Sequence, residues 1–156
     1  MEIIYTLDQI DEKLVQLLQK NAEMTAAQLS ETLNLSASQI GRRKQRLEEA
    51  GIISGYHAKI DPNKVNLNVQ AFVQVQMQSH GASYAQQFRT LVEQHPEIVS
   101  TWTLTGEADY LLRVYCQDLR ALNRLIHEIL LAHPTVARVQ SQIVMDQIKA
   151  DAPLPI

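Results

Sequence analysis

The sequence predicts an α+β protein, with a helical N-terminal part followed by a C-terminal part in βαββαβ order. Three observations support this fold class. Helix-capping patterns recur through residues 8–50, and an alternation of inward apolar residues begins at Val69. A strand, helix, His-Pro and strand series also recurs after 38 residues. The predicted division is a domain at 1–60, a hinge at 61–67 and a second domain at 68–156.

The N-terminal part is predicted to contain three helices in a helix-turn-helix arrangement. Thr25 with Gln28 and Ser36 with Gln39 are two capping-box patterns, and they start helices only eleven residues apart. Asn34 tolerates the left-handed backbone that the tight turn between these helices requires. This spacing is typical of a helix-turn-helix. The helices are expected at residues 9–20, 26–33 and 36–50.

Between Leu35 and Leu47 the third helix has four basic residues and no acid, although the whole chain carries a net charge of -3. At about 100° per residue, Ile40 and Leu47 face the core and polar side chains lie opposite them. Arginine can pair with guanine in the major groove, glutamine with adenine, and serine can hold phosphate. A solvated charged face is the alternative interpretation. The predicted DNA-binding residues are Ser36, Ser38, Gln39, Arg42, Arg43 and Arg46.

Gly51 is expected to end this helix, and the extended residues 52–56 lead out of a winged helix-turn-helix domain. After the hinge, Ser83 and Asp118 are predicted to cap two helices, each ending at a His-Pro pair. The strand-helix order indicates a split βαββαβ unit with ferredoxin-like topology. Its strands are predicted at 69–77, 99–105, 110–116 and 136–148.

One face of this sheet is predicted to lack helices and to carry Phe72, Trp102 and Tyr115 among glutamines. That much aromatic surface is unusual beside water, so we expect a second copy of the chain to cover it. A two-fold dimer would also present two recognition helices to successive major grooves of a pseudo-palindromic operator in double-stranded DNA.

With both parts assembled, the chain resembles the leucine-responsive and asparagine regulator (Lrp/AsnC) family over nearly its whole length. The resemblance implies a C-terminal domain that binds a small amino-acid effector and forms dimers, which assemble further into tetramers or octamers. The motifs that carry it are Leu7-Asp8-x-x-Asp11, Leu35-Ser36-x-Ser38-x-x-x-Arg42-Arg43-x-x-Arg46-Leu47-Glu48, Gly51-Ile52-Ile53-x-Gly55-Tyr56 and Leu104-Thr105-Gly106-x-x-Asp109-Tyr110-Leu111-Leu112.

The loop from Gly106 to Tyr110 is the candidate effector site. Glycine lets backbone N–H groups converge on a carboxylate, Asp109 can bind an α-ammonium group, and Tyr110 can wall a pocket. Ordinary hairpin chemistry uses the same residue types, and this alternative stays open. The resemblance implies four further effector-binding residues across a subunit interface: Thr101, Thr103, Ser141 and Gln142.

Three positions depart from the family pattern. Lys44 stands where the family usually has an apolar core residue, Ala37 replaces a frequent proline, and Val139 replaces a frequent threonine. A lysine stem that snorkels along the core edge would accommodate Lys44.

Other function classes have little support in the sequence. The five histidines lack metal-ligand spacing, and there is no nucleophile motif or phosphate loop, so neither catalysis nor a metal or other cofactor is expected. A lone Cys116 allows no intramolecular disulfide. The chain has neither a signal peptide nor an apolar run of ~20 residues, which predicts a cytoplasmic protein without membrane contact.

The leading hypothesis is therefore a sequence-specific DNA-binding transcription regulator that responds to an amino acid. The alternatives are an amino-acid-sensing module that regulates a partner enzyme without binding DNA, and an architectural DNA-binding protein without a ligand.

Overall fold

The computed structural model describes residues 6–156. Its first three helices agree with the sequence predictions to within one residue. They bury one apolar cluster, formed by Leu14, Val15, Leu18, Leu29, Ile40 and Leu47. The helices are α1 (Gln9–Lys20), α2 (Ala26–Leu33) and α3 (Ala37–Glu49).

The predicted caps define where these helices begin and end. Thr25 and Ser36 both form complete capping boxes. Asn34 adopts the left-handed conformation at φ 54°, and Gly51 does so at φ 69° just beyond α3. A left-handed backbone at these two positions turns the chain sharply after α2 and α3. Local side-chain chemistry therefore determines the helix-turn-helix spacing.

Beyond residue 60 the chain forms a four-stranded antiparallel sheet with helices on one face. The elements are β1 (Val69–Met77), α4 (Ala82–Gln94), β2 (Ile98–Thr103), β3 (Tyr110–Cys116), α5 (Leu119–Arg124) and β4 (Val136–Ile143). The strand order β2-β3-β1-β4 is the predicted ferredoxin-like arrangement. The second helix, α5, continues as a π-helical turn over Leu125–Leu130.

The alternation in β1 sorts its side chains between the two faces of the sheet. Ala71, Val73 and Val75 are fully buried, whereas the intervening Phe72 and Gln74 are not. The buried face packs against Phe88 of α4 and Leu122 of α5 in a single core cluster. The period-2 pattern thus marks which face of the sheet carries the helices.

Several predicted boundaries of the second part need correction. Gly81, not Ser83, is the N-cap of α4, and no side chain caps this helix. Strand β2 ends at Thr103, because Leu104 already bonds to Asp109 in the hairpin. Strand β4 ends at Ile143 instead of residue 148, because its partner β1 begins only at Val69 and leaves later residues without a strand to pair with.

The domain division also differs from the prediction at both ends. Within the described part of the chain, one compact unit holds the residues up to Lys59 together with Lys149–Ile156, and the other holds Ile60–Ile148. The predicted hinge belongs to the second unit, where Asp61 caps a short 3-10 turn at Pro62–Val65. The expected wing at residues 52–56 contains no strand in the described structure.

No helix within residues 6–156 is long and apolar enough to cross a membrane. No group of three or more histidine, cysteine, aspartate or glutamate side chains in this range is arranged to hold a metal ion.

Candidate nucleic-acid interface and ligand site

Two exposed arginines lie on the outward face of α3. Ile40 and Leu47 are buried on the opposite side of the helix, and Arg42 and Arg46 are exposed. Within residues 6–156, neither arginine forms a salt bridge. Two exposed guanidinium groups are therefore available to phosphates or to guanine edges.

Ser36, Ser38 and Gln39 lie at the start of this face and are bonded to one another. The side-chain oxygen of Gln39 accepts hydrogen bonds from the Ser36 backbone N–H at 2.9 Å and the Ser36 hydroxyl at 3.0 Å. The hydroxyls of Ser36 and Ser38 are 3.1 Å apart. Ser36 and Gln39 thus build the helix cap, while Ser38 lies on the exposed side beside Arg42.

Arg43, at the flank of this face, is half-buried and pairs with two acids of the first helix. One guanidinium nitrogen, Nη1, lies 2.6 Å from the Asp8 carboxylate and 2.7 Å from that of Asp11. The side chain of Arg43 is 18% exposed and that of Asp11 only 3%. Arg43 therefore fastens α3 to the start of α1, and its contact with DNA stays a prediction.

The pKa values of this cluster reflect the hydrogen bonds. The Asp11 backbone N–H, followed by Arg43, lowers the pKa of Asp8 below its ordinary 3.8. Hydrogen bonds to Asp8 and then Asp11 raise the pKa of Arg43. The cluster thus favours the charged form of Asp8 and of Arg43.

The depressed pKa of Asp8 predicts an acid-sensitive fold. Its contribution to the free energy of unfolding is complete above the unfolded-state value of 3.8 and is lost as pH falls through the lower folded-state value. Asn can still act as the N-cap, so Asp8→Asn removes the charge and keeps the cap. Thermal melts at about pH 6 and about pH 3 should show a smaller loss of stability for the variant than for wild type. Equal losses would contradict this prediction.

Lys44, one of the three departures from the family pattern, packs against Tyr56 in the extended segment beyond α3. Its ammonium lies 4.6 Å from the centre of the Tyr56 ring. The Tyr56 hydroxyl donates to the Glu48 carboxylate at 3.0 Å. Burial, and then the hydrogen bond to Glu48, raise the pKa of Tyr56 to about 12. A cation on an aromatic face explains how a lysine is accommodated here.

Sequence reasoning missed Gln45. It lies at about 140° from Ile40 on the helical wheel, next to Ser38, and is exposed. Its side-chain amide donates to Glu49 at 2.8 Å. Its position on the helical wheel was the available signal, but Gln45 carries no charge and stands between Lys44 and Arg46. We define the recognition face as Ser38, Arg42, Gln45 and Arg46.

In the second unit, three of the predicted effector residues line one cavity. This cavity, of ≈ 640 Å³, lies between α4 and β2 and includes Thr101, Thr103 and Tyr110. The Tyr110 ring packs 4.5 Å from that of Phe88 at the inner wall. Arg89 and Glu93, one helical turn apart on α4, also line the cavity and bring opposite charges to it.

The hairpin loop predicted to bind the effector is bonded to the end of β1 through Asp109. Asp109 accepts a hydrogen bond from the Met77 backbone N–H at 2.7 Å and lies 3.3 Å from the His80 ring. Its carboxylate thus joins the hairpin to the end of β1 and is already engaged with its own chain. Gly106 has φ 113°, a conformation that requires glycine, and it does not line the cavity.

Ser141 and Gln142 do not line this cavity. They belong to β4, the edge strand opposite β2, with β3 and β1 between them. Ser141 pairs with the inward Val73 and Gln142 with Phe72, so the two side chains point to opposite faces. One chain does not bring them to the cavity.

A capped helix-turn-helix with an exposed basic face, followed by a unit with a ligand-sized cavity, defines a DNA-binding transcription regulator. Comparison with known families agrees for both units. Residues 7–48 match the AsnC-type helix-turn-helix domain, and residues 70–154 match the Lrp/AsnC ligand binding domain. The chain belongs to the Lrp/AsnC family of transcription regulators.

Individual relatives are similar over almost their full length. The DNA-binding transcriptional activator DecR of Escherichia coli K12 is 36% identical over 150 residues, covering 96% of this chain and 99% of DecR. The leucine-responsive regulatory protein of the same strain is 32% identical over 143 residues, covering 92% and 87%. A Neisseria meningitidis transcriptional regulator, solved as a complex with L-Met, is 39% identical with a TM-score of 0.91, covering 96% and 97%.

Proposed function

We propose that this regulator binds double-stranded DNA through the recognition face of α3 and that a small amino acid modulates the binding. The observation that carries the DNA-binding part is the pair Arg42 and Arg46, exposed and without a salt bridge in residues 6–156, opposite the buried Ile40 and Leu47. In this proposal Ser36 and Gln39 set the start of the helix at the DNA backbone. Arg42, Gln45 and Arg46 enter the major groove.

The charge distribution supports a small number of specific contacts with DNA in preference to nonspecific binding over a large basic surface. The chain as a whole is acidic, with a pI near 5.9, so positive potential is confined to local patches. Each phosphate that an arginine neutralises releases counterions, which makes the affinity fall as salt rises. Each chain needs to make only a few DNA contacts, because a dimer would present two copies of α3 and double their number.

The helix-free sheet face supports assembly into a homodimer. Trp102 is 45% exposed there, and Phe72 and Tyr115 are partly exposed. In this proposal a second copy covers these rings, and the two-fold symmetry of the pair matches a pseudo-palindromic operator. Tetramers or octamers would form by further contacts between dimers.

The charged wall of the α4–β2 cavity supports an amino-acid effector. Arg89 can pair with an α-carboxylate and Glu93 with an α-ammonium group, while Phe88 and Tyr110 bring aromatic surface to the cavity. The Neisseria relative was solved as a complex with L-Met, which makes methionine the first amino acid to test. Thr101 and Thr103 complete this proposed site, and Ser141 and Gln142 would reach it only from another subunit.

A gel-shift assay on the DNA upstream of the protein's own gene tests the DNA-binding part. We expect a complex at low salt whose affinity decreases as salt is added. Absence of binding at low salt, with and without added amino acids, would contradict the proposal. It would favour the alternative of an amino-acid-sensing module that regulates a partner enzyme.

Arg89→Gln tests the ligand site. The variant should lose most of the rise in melting temperature that L-Met or another active amino acid gives the wild type, because a ligand stabilises only the state it binds. Its melting temperature without ligand should be unchanged, since Arg89 is exposed. Arg120→Gln, an exposed arginine on α5 outside the cavity, is the matched control. An undiminished ligand shift in Arg89→Gln would place the effector elsewhere.

A further inference from the structure

The chain returns to the helical unit after the sheet, and one glutamine holds it there. The side-chain oxygen of Gln19 accepts a hydrogen bond from the Leu154 N–H at 2.6 Å, and its amide group donates to the Leu154 carbonyl at 3.3 Å. Gln16, one turn earlier on α1, donates to the Ile156 carbonyl at 2.5 Å. Gln19 thus binds both main-chain groups of one residue, as a neighbouring strand would.

The residues around Leu154 suit this mode of binding. Pro153 and Pro155 carry no N–H, so Leu154 supplies the main-chain donor of the Pro-Leu-Pro stretch, and that donor goes to Gln19. A residue that precedes proline is biased toward extended backbone. The segment therefore loses less conformational entropy on docking than a flexible tail would.

The docked segment lies beside an apolar groove. A cavity of ≈ 300 Å³ is lined by both Leu154 and Ile156 of the segment. The two residues remain 72% and 46% exposed. Apolar burial in the groove is therefore small, and the docking depends on the glutamine hydrogen bonds. The groove side includes Leu7, Val15, Leu18, Ala22, Ile52, Ile53 and Tyr56.

We propose that residues 151–156 are a docking segment for this groove, with Gln19 as the specificity-determining contact. The occupant is this chain's own C-terminal segment. The segment follows β4 in sequence, and it belongs to the same compact unit as the three helices. The segment acts as a strap that stabilises α1, and this role does not depend on DNA or amino-acid binding.

A double-mutant cycle tests the strap. Deleting residues 151–156 and replacing Gln19 by Ala should each lower the melting temperature of the helical unit by about 2–5 °C. Combining the two changes should give little further decrease, because both remove the same contact. Gln9→Ala, an exposed glutamine at the start of α1, is the matched control and should leave the melting temperature unchanged. Additive effects of deletion and Gln19→Ala would overturn the proposal.

Hydrogen exchange in the full-length chain gives a second readout that requires no truncation. The Leu154 N–H should exchange about 10-fold more slowly in wild type than in Gln19→Ala, since only the wild type holds it in a hydrogen bond. Gln9→Ala should keep the wild-type rate. Equal exchange of Leu154 in wild type and Gln19→Ala would overturn the proposal even if the truncated chain failed to fold.

Discussion

Arg43→Ala is expected to lower the free energy of unfolding of the helical unit by about 2–3 kcal/mol. The variant leaves the Asp11 carboxylate, 3% exposed, without the guanidinium that lies 2.7 Å from it. Removing one partner of a fully buried pair costs about 3–5 kcal/mol, and the 18% exposure of Arg43 places this case below that range. Urea denaturation followed by circular dichroism measures the change.

Arg42→Ala is the control for this experiment, because it removes an arginine from the adjacent, exposed position of the same helix. Its free energy of unfolding should remain within about 0.5 kcal/mol of the wild-type value. If Arg43→Ala were as stable as Arg42→Ala, the ion pair with Asp8 and Asp11 would have no structural role. Arg43 would then be assigned to DNA contact alone.

The roles of the two arginines should reverse when DNA affinity is measured. Arg42→Ala and Arg46→Ala should each weaken operator binding by about 1–3 kcal/mol, or about 5- to 150-fold, without changing stability. The reason is that both side chains are exposed and make no salt bridge within residues 6–156. Fluorescence anisotropy at fixed salt, with operator and unrelated DNA, measures the effect.

The salt dependence separates two kinds of contact. If an arginine reads a base, its loss should weaken operator binding more than binding to unrelated DNA. If it holds a phosphate, both affinities should fall together and the salt slope should decrease by about 1. Arg124→Ala on α5 removes the same charge from the other unit and should have no effect. Wild-type affinity in an Arg42→Ala, Arg46→Ala double variant would exclude α3 as the recognition helix.

Much of the fold follows from short-range patterns. The capping boxes at Thr25 and Ser36 predicted where α2 and α3 begin, and the alternation after Val69 predicted both the extent of β1 and its buried face. Each pattern involves residues within four positions of one another. A helix cap or a strand face is decided at that distance, so one sequence is sufficient to predict it.

The structure brings only some of the predicted ligand-binding residues together, for a physical reason. Thr101, Thr103 and Tyr110 share a cavity because β2 and β3 are hairpin neighbours. The charged residues Arg89 and Glu93 come from α4, and their contribution depends on how that helix packs on the sheet. Sequence patterns carry periodicity but not packing distances, so these two residues had no signal of their own.

The sequence alone determined that α3 would bury Ile40 and Leu47 and expose a basic face, because helical periodicity and local charge are properties of consecutive residues. Only the tertiary structure decided which basic side chains of α3 remain exposed and, within residues 6–156, without an ion-pair or ring contact. Arg43 turns to Asp8 and Asp11 on another helix, Lys44 lies on the Tyr56 ring, and Arg42 and Arg46 remain exposed. Such partners are set by how the elements pack. A charge that is partly removed from water is stabilised by an opposite charge within hydrogen-bond distance.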